Sequence, residues 1–95
     1  IIKLNTGEPL AMINVGALNV GTITTAYDPD FLTNRGDKTF RVKDYDSPIP
    51  IKKGGHIATF HLGSTVILLL PKRENCHALV AEGESVRYGQ KVVQV

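Results

Sequence analysis

Short apolar runs, broken by glycine, proline and polar turns, divide the chain into segments of strand length. Met12-Ile13-Asn14-Val15 and Val20-Gly21-Thr22-Ile23-Thr24-Thr25 are rich in β-branched residues, which suit a pleated, half-buried surface. Gly16 and Gly21 punctuate them, as bulges or close backbone approaches do. Thr39-Phe40-Arg41-Val42-Lys43 alternates apolar and polar and predicts a half-buried strand. His56 to Leu62 and Ser64 to Leu70 are the next strand-like runs, and Ala78 to Ala81 and Val92 to Val95 close the chain. Ile1-Ile2-Lys3-Leu4 is strand-like as well, and an exposed strand edge there would seek a partner. No longer stretch keeps a 3.6-residue period between breakers, so the pattern predicts an all-β chain with little helix.

Turn chemistry fills the gaps. Residues 28 to 38 form the clearest loop, and Pro48 and Pro50 interrupt a second. Asp28, Asp30, Asp44 and Asp46 are acidic enough to suggest a cation site, but their spacing does not match an EF-hand loop. They read as solvated loop carboxylates.

One internal similarity stands out. Ile51-Lys52-Lys53-Gly54-Gly55-His56-Ile57-Ala58-Thr59-Phe60 lines up with Val86-Arg87-Tyr88-Gly89-Gln90-Lys91-Val92-Val93-Gln94-Val95, 35 residues on. In both, a glycine able to take a positive-φ turn precedes an apolar strand. This hairpin resembles the repeated unit of lipoyl and biotinyl carrier domains and related barrel-sandwich folds. It implies antiparallel sheets built from two quasi-symmetric hairpin halves.

Composition narrows the function. The chain has 95 residues, enough for one small domain with a limited core. It opens on Ile1 rather than Met, which suggests a fragment or a processing product. The net charge of +2 comes from interspersed signs with no Lys/Arg block, so nothing marks a nucleic-acid partner. A mildly basic surface would suit an anionic membrane. Cys76 is the lone cysteine. Beside His77 it makes too small a set for a zinc site, so no metal is expected. The longest apolar run, Val66 to Leu70, ends at Pro71 and falls far short of the roughly 20 residues a spanning helix needs.

The candidate chemistry lies at Gly63-Ser64, between two apolar runs. A glycine before a serine is ordinarily a turn. The pair can also be a reactive peptide bond: the serine hydroxyl attacks the preceding carbonyl in an N-to-O acyl shift. Glycine helps because it lacks a Cβ and leaves that carbonyl open. Elimination of the ester then leaves a dehydroalanine, which becomes a pyruvoyl group. Such a ketone does the electron-sink work of pyridoxal phosphate.

Three stretches carry a resemblance. Phe60-His61-Leu62-Gly63-Ser64-Thr65-Val66 closely resembles the processing site of bacterial-type phosphatidylserine decarboxylases. Val15-Gly16-Ala17-Leu18-Asn19-Val20-Gly21-Thr22-Ile23 is similar to that family's "VGA-x-x-VG-[ST]-I" stretch, and Val86-Arg87-Tyr88-Gly89-Gln90 to its "V-x-x-G-x" turn. The resemblance spans residues 10 to 95. It implies a C-terminal proenzyme part forming one catalytic-domain fragment over 1–95, split by self-cleavage into a β-chain portion, 1–63, and an α-chain portion, 64–95. Ser64 would become the pyruvoyl group and Schiff-base site, and Gly63 would carry the scissile carbonyl.

The product would be phosphatidylethanolamine with carbon dioxide. The partners would be phosphatidylserine, an upstream β-chain segment of the same precursor and a membrane surface, at the cytoplasmic face of a bacterial inner membrane. The family's assisting Asp and His lie upstream of the VGA stretch, and no segment here matches them. His56, His61 and His77 do not fit those motifs, and His61 reads as a strand-face side chain. The stretch from Asp28 to Asp46 is also unmatched. Two other readings stay open: a pyruvoyl decarboxylase of another amine, and a non-catalytic carrier module modified at Lys52 or Lys53.

Overall fold

A computed structural model describes residues 1–16, 21–33 and 39–95. Ala17 to Val20 of the VGA-like stretch and Asn34 to Lys38 of the first loop lie outside the described residues. Among the described residues there are seven strands and no helix. They are β1 (Ile2–Lys3), β2 (Pro9–Gly16), β3 (Ile23–Thr25), β4 (Ala58–Phe60), β5 (Ser64–Leu69), β6 (His77–Ala78) and β7 (Val93–Gln94). β1, β2 and β5 form one sheet in that order, β3 pairs with β4, and β6 pairs with β7. The β1–β2, β3–β4 and β6–β7 pairs are antiparallel.

The chain divides into two compact units, one of Ile1–Ile13 with Ile67–Val95 and one of Asn14–Val66. In the first, β1 and β2 are joined by a tight turn. The Gly7 N–H donates to the Leu4 carbonyl at 2.8 Å, the Leu4 N–H donates to the Glu8 carbonyl at 2.8 Å, and Gly7 has φ +89°. This is a type I turn closed by a left-handed glycine bulge, a geometry whose twist matches the flanking strands. Glu8 pairs with Arg73 at 3.0 Å, and Leu10 is buried.

The two repeats share their turn. Gly55 N–H donates to the Lys52 carbonyl at 2.8 Å, Gln90 N–H donates to the Arg87 carbonyl at 3.0 Å, and Gly54 and Gly89 both have φ +76°. A positive φ at the third turn position is the type II requirement that glycine meets. The strand after each turn pairs in the same way. Ala58 opposes Thr25 and Val93 opposes Ala78. One step further out, Ala26 N–H donates to the Ile57 carbonyl and Leu79 N–H to the Val92 carbonyl, both at 2.8 Å. One copy lies in each unit.

Gly16 is a close-approach glycine, as its place in the sequence predicts. A Cβ there would lie 2.7 Å from the Gly21 Cα. The period-two run Thr39 to Lys43 does not become a strand. It forms no strand and lies exposed, with Phe40 88% and Val42 72% accessible. Alternation stabilises a strand only where a partner strand and a face to bury exist, and among the described residues this run has neither. The core is small: Leu10 and Ile23 are the buried aliphatics among the described residues.

Candidate active site

Gly63 and Ser64 stand where the chain passes from one sheet to another. β4 belongs to the β3–β4 pair and β5 to the β1-β2-β5 sheet. Between Phe60 and Ser64 the chain bends at His61 and Leu62 and then runs through Gly63 into β5. Ser64 is the first residue of β5 and is exposed. A Cβ on Gly63 would meet nothing within 4 Å, and its φ is not in the left-handed range. Neither packing nor backbone conformation therefore requires glycine here. The Gly63 carbonyl is unhindered and stands beside a serine hydroxyl. The residues present fit the precursor of a chain-derived ketone.

His61 is bonded to Thr22 and Thr24. Its N–H donates to the Thr22 carbonyl at 3.2 Å, and its Nε2 shares a 3.1 Å hydrogen bond with Thr24 Oγ1. His56 Nε2 lies 3.1 Å from the Ala58 carbonyl oxygen and 2.8 Å from Thr59 Oγ1. His77 begins β6, in the other unit. Among the described residues no side chain hydrogen-bonds the Ser64 hydroxyl, and no three His, Cys, Asp or Glu groups cluster as metal ligands. The flanks of the bend are not dry in this chain, contrary to what their apolar sequence suggests. Leu62 is 56% exposed and Val66 48%. Side chains alternate across a strand, so an apolar run still needs a covering layer on each face.

One loop carboxylate is not solvated, again contrary to expectation. Asp28 is buried, and its carboxylate accepts from the Lys43 ammonium, from the Tyr45 hydroxyl at 2.7 Å and from the Asp30 N–H at 3.2 Å. The Lys43 bond, then the Tyr45 bond, holds its pKa below the usual 3.8 against the opposing pull of burial. The same bond to Asp28, aided by burial, pushes the Tyr45 phenol up to about 12. Tyr27 packs edge-on against Tyr45, with centroids 6.3 Å apart. This network closes the stretch from Asp28 to Tyr45. Sequence spacing gives no sign of it, because its partners stand 15 and 17 residues from Asp28. Thr24 was equally hidden: within a β-branched run it reads only as a strand former.

Residues 1–94 match the family model described as phosphatidylserine decarboxylase. A phosphatidylserine decarboxylase proenzyme of Anaeromyxobacter sp. (strain K) is 40% identical over 82 residues, which cover 84% of this chain and 29% of that protein. One from Helicobacter pylori (strain J99) is 31% identical over 86 residues, covering 90% of this chain and 31% of that protein. A mitochondrial proenzyme of Schizosaccharomyces pombe is 34% identical over 91 residues, covering 84% of this chain and 21% of that protein. The chain thus spans about a third or less of the length of these relatives. No solved structure gives a significant match.

Proposed function

The chain belongs to the phosphatidylserine decarboxylase family, and from that premise we propose that it is the C-terminal part of a proenzyme that cleaves itself between Gly63 and Ser64. The observation that carries this reading is the Gly63–Ser64 bend: an exposed serine opening β5, preceded by a glycine that its conformation does not require.

The Ser64 hydroxyl attacks the Gly63 carbonyl carbon. An ester C–O bond forms as the peptide C–N bond breaks, and the hydroxyl proton passes to the freed nitrogen. Loss of the Ser64 Cα proton then expels the Gly63 carboxylate and leaves dehydroalanine. Its imine tautomer takes up one water and releases ammonia, which completes the pyruvoyl end of the 64–95 chain. That group supplies a ketone for the amine of phosphatidylserine and accepts the electron pair left by departing carbon dioxide, giving phosphatidylethanolamine. A serine hydroxyl needs a neighbouring base. The proposal assigns it to the upstream segment that the longer relatives imply, together with the cover that excludes water and the approach to a membrane surface. The shared type II turn and the shared ladder in the two units support the further reading of two quasi-symmetric halves in a barrel-sandwich fold.

The test is the mass profile of the denatured full-length precursor. Two pieces, broken between Gly63 and Ser64, are expected, with a blocked amino end on the piece beginning at residue 64, and Ser64→Ala should stay whole. Gly63→Ala should leave stability within about 0.5 kcal/mol, because the added methyl meets no atom within 4 Å, yet slow the splitting. A mature wild type that remains one chain overturns the reading. Carbon dioxide release from phosphatidylserine, compared with free serine, decides the amine substrate.

A further inference from the structure

The β3–β4 ladder does not stop where β4 does. Its register sets Thr24 opposite Thr59, so His61, two residues beyond Thr59, is the diagonal neighbour of Thr24 on the same face. There the ring and the hydroxyl meet at 3.1 Å, and the His61 N–H adds a further ladder bond to the Thr22 carbonyl at 3.2 Å. β3 is also held along its other edge. Thr24 bridges Leu32, Thr33 N–H donates to the Ile23 carbonyl at 3.1 Å, and Ile23 N–H donates to Thr33 Oγ1 at 2.9 Å. The Thr25 hydroxyl donates to the Phe31 carbonyl at 2.9 Å. His61 is thus fastened to a strand clasped on both sides. Only Leu62 and Gly63 separate it from Ser64, which is fixed in a different sheet.

We propose that Thr24 and His61 are positioning residues for cleavage at Gly63–Ser64: their side-chain bond fixes the upstream end of the bend and so holds the Gly63 carbonyl in reach of the Ser64 hydroxyl. The assignment rests on the self-cleavage reading above. Two residues leave little slack, since each spans at most about 3.3–3.6 Å when extended. Holding both ends restricts the bend to few conformers, and restricted orientation is what raises the rate of an intramolecular attack. With Nε2 turned to Thr24, His61 acts through geometry and not as the proton acceptor.

The experiment uses the full-length precursor and follows the rate of splitting in Thr24→Val, His61→Leu, His61→Gln and the Thr24→Val/His61→Leu double variant. Loss of one exposed side-chain hydrogen bond should slow splitting by about threefold to tenfold. The two single variants should be alike, and the double variant no slower than either. His61→Gln, which can still bond Thr24, should recover most of the rate. A second readout needs no cleavage. In the unsplit Ser64→Ala precursor, adding Thr24→Val should speed hydrogen exchange at the His61 amide. Splitting abolished by His61→Leu and His61→Gln but untouched by Thr24→Val would make His61 the base and overturn the assignment. So would unchanged splitting in all variants, or unchanged exchange at His61. A wild-type precursor that never splits defeats the self-cleavage reading itself, an outcome distinct from a failed tether.

Discussion

At the scale of single residues, Asp28 shows what burial demands of a charge. A carboxylate taken out of water persists only if paired and hydrogen-bonded, and here an ammonium, a phenol and an amide converge on it. The two shifts bound a pH window. Asp28 has a folded pKa below its unfolded value of 3.8, so its contribution is complete above that value and is lost as pH falls through the folded pKa. The Tyr45 phenol is raised from 10.0 to about 12. Its contribution is complete below pH 10 and fades as pH rises towards 12. Tyr45→Phe should therefore lower the urea midpoint at neutral pH and remove part of the alkaline decline expected of the wild type. Midpoints measured from about pH 8 to about pH 12, a range that brackets a tyrosine's ordinary pKa, check it. Parallel wild-type and variant profiles above pH 10 would show that the phenol contributes nothing there.

At the scale of elements, turns and ladders carry the fold, because few side chains are buried to do so. The turns at Lys52–Gly55 and Arg87–Gln90 have the same closing bond and the same glycine φ of +76°. An L-residue in the left-handed region costs roughly 1–2 kcal/mol. Gly54→Ala and Gly89→Ala should thus each destabilise by about that amount, and by similar amounts, even though a Cβ at either position meets nothing within 4 Å. Denaturant midpoints of the two variants test this. A loss at one turn and none at the other would count against equivalent halves. Much of this scale was legible beforehand. The glycines that punctuate the repeat, the strands following them and the β5 run are all visible as pattern. The Thr39–Lys43 run shows the limit: its alternation is genuine, but a strand needs a neighbour to bond, and alternation says nothing about where that neighbour is.

At the scale of the whole molecule, the exposed apolar side chains point to missing cover. Ile13, Val15, Leu62, Val66, Ile67 and Leu69 are each more than 40% exposed, while the matched stretches make up about a third or less of the relatives' length. A stable domain buries most of such surface. Residues 1–95 expressed alone should therefore bind a hydrophobic dye and exchange strand amides quickly, and on the proposed reading, which assigns the base to an upstream segment, should split slowly at best. Restoring the upstream segment should suppress dye binding and protect β2 and β5. Rapid splitting and full decarboxylation by the isolated segment would show that the base lies within it.

The amino-acid sequence by itself determined the all-β character, the turn glycines and the Gly63–Ser64 pair, because each depends on local chemistry: which residues prefer a pleat, which tolerate positive φ, which bring a nucleophile beside an open carbonyl. Only the tertiary structure decided that Asp28 is buried against Lys43 and Tyr45, that Thr39–Lys43 joins no strand ladder and that His61 is fastened to Thr24. Those outcomes hang on which distant segments come together. Strand register sets that, and a single residue of slip would turn Thr24 to the opposite face and leave His61 without its partner.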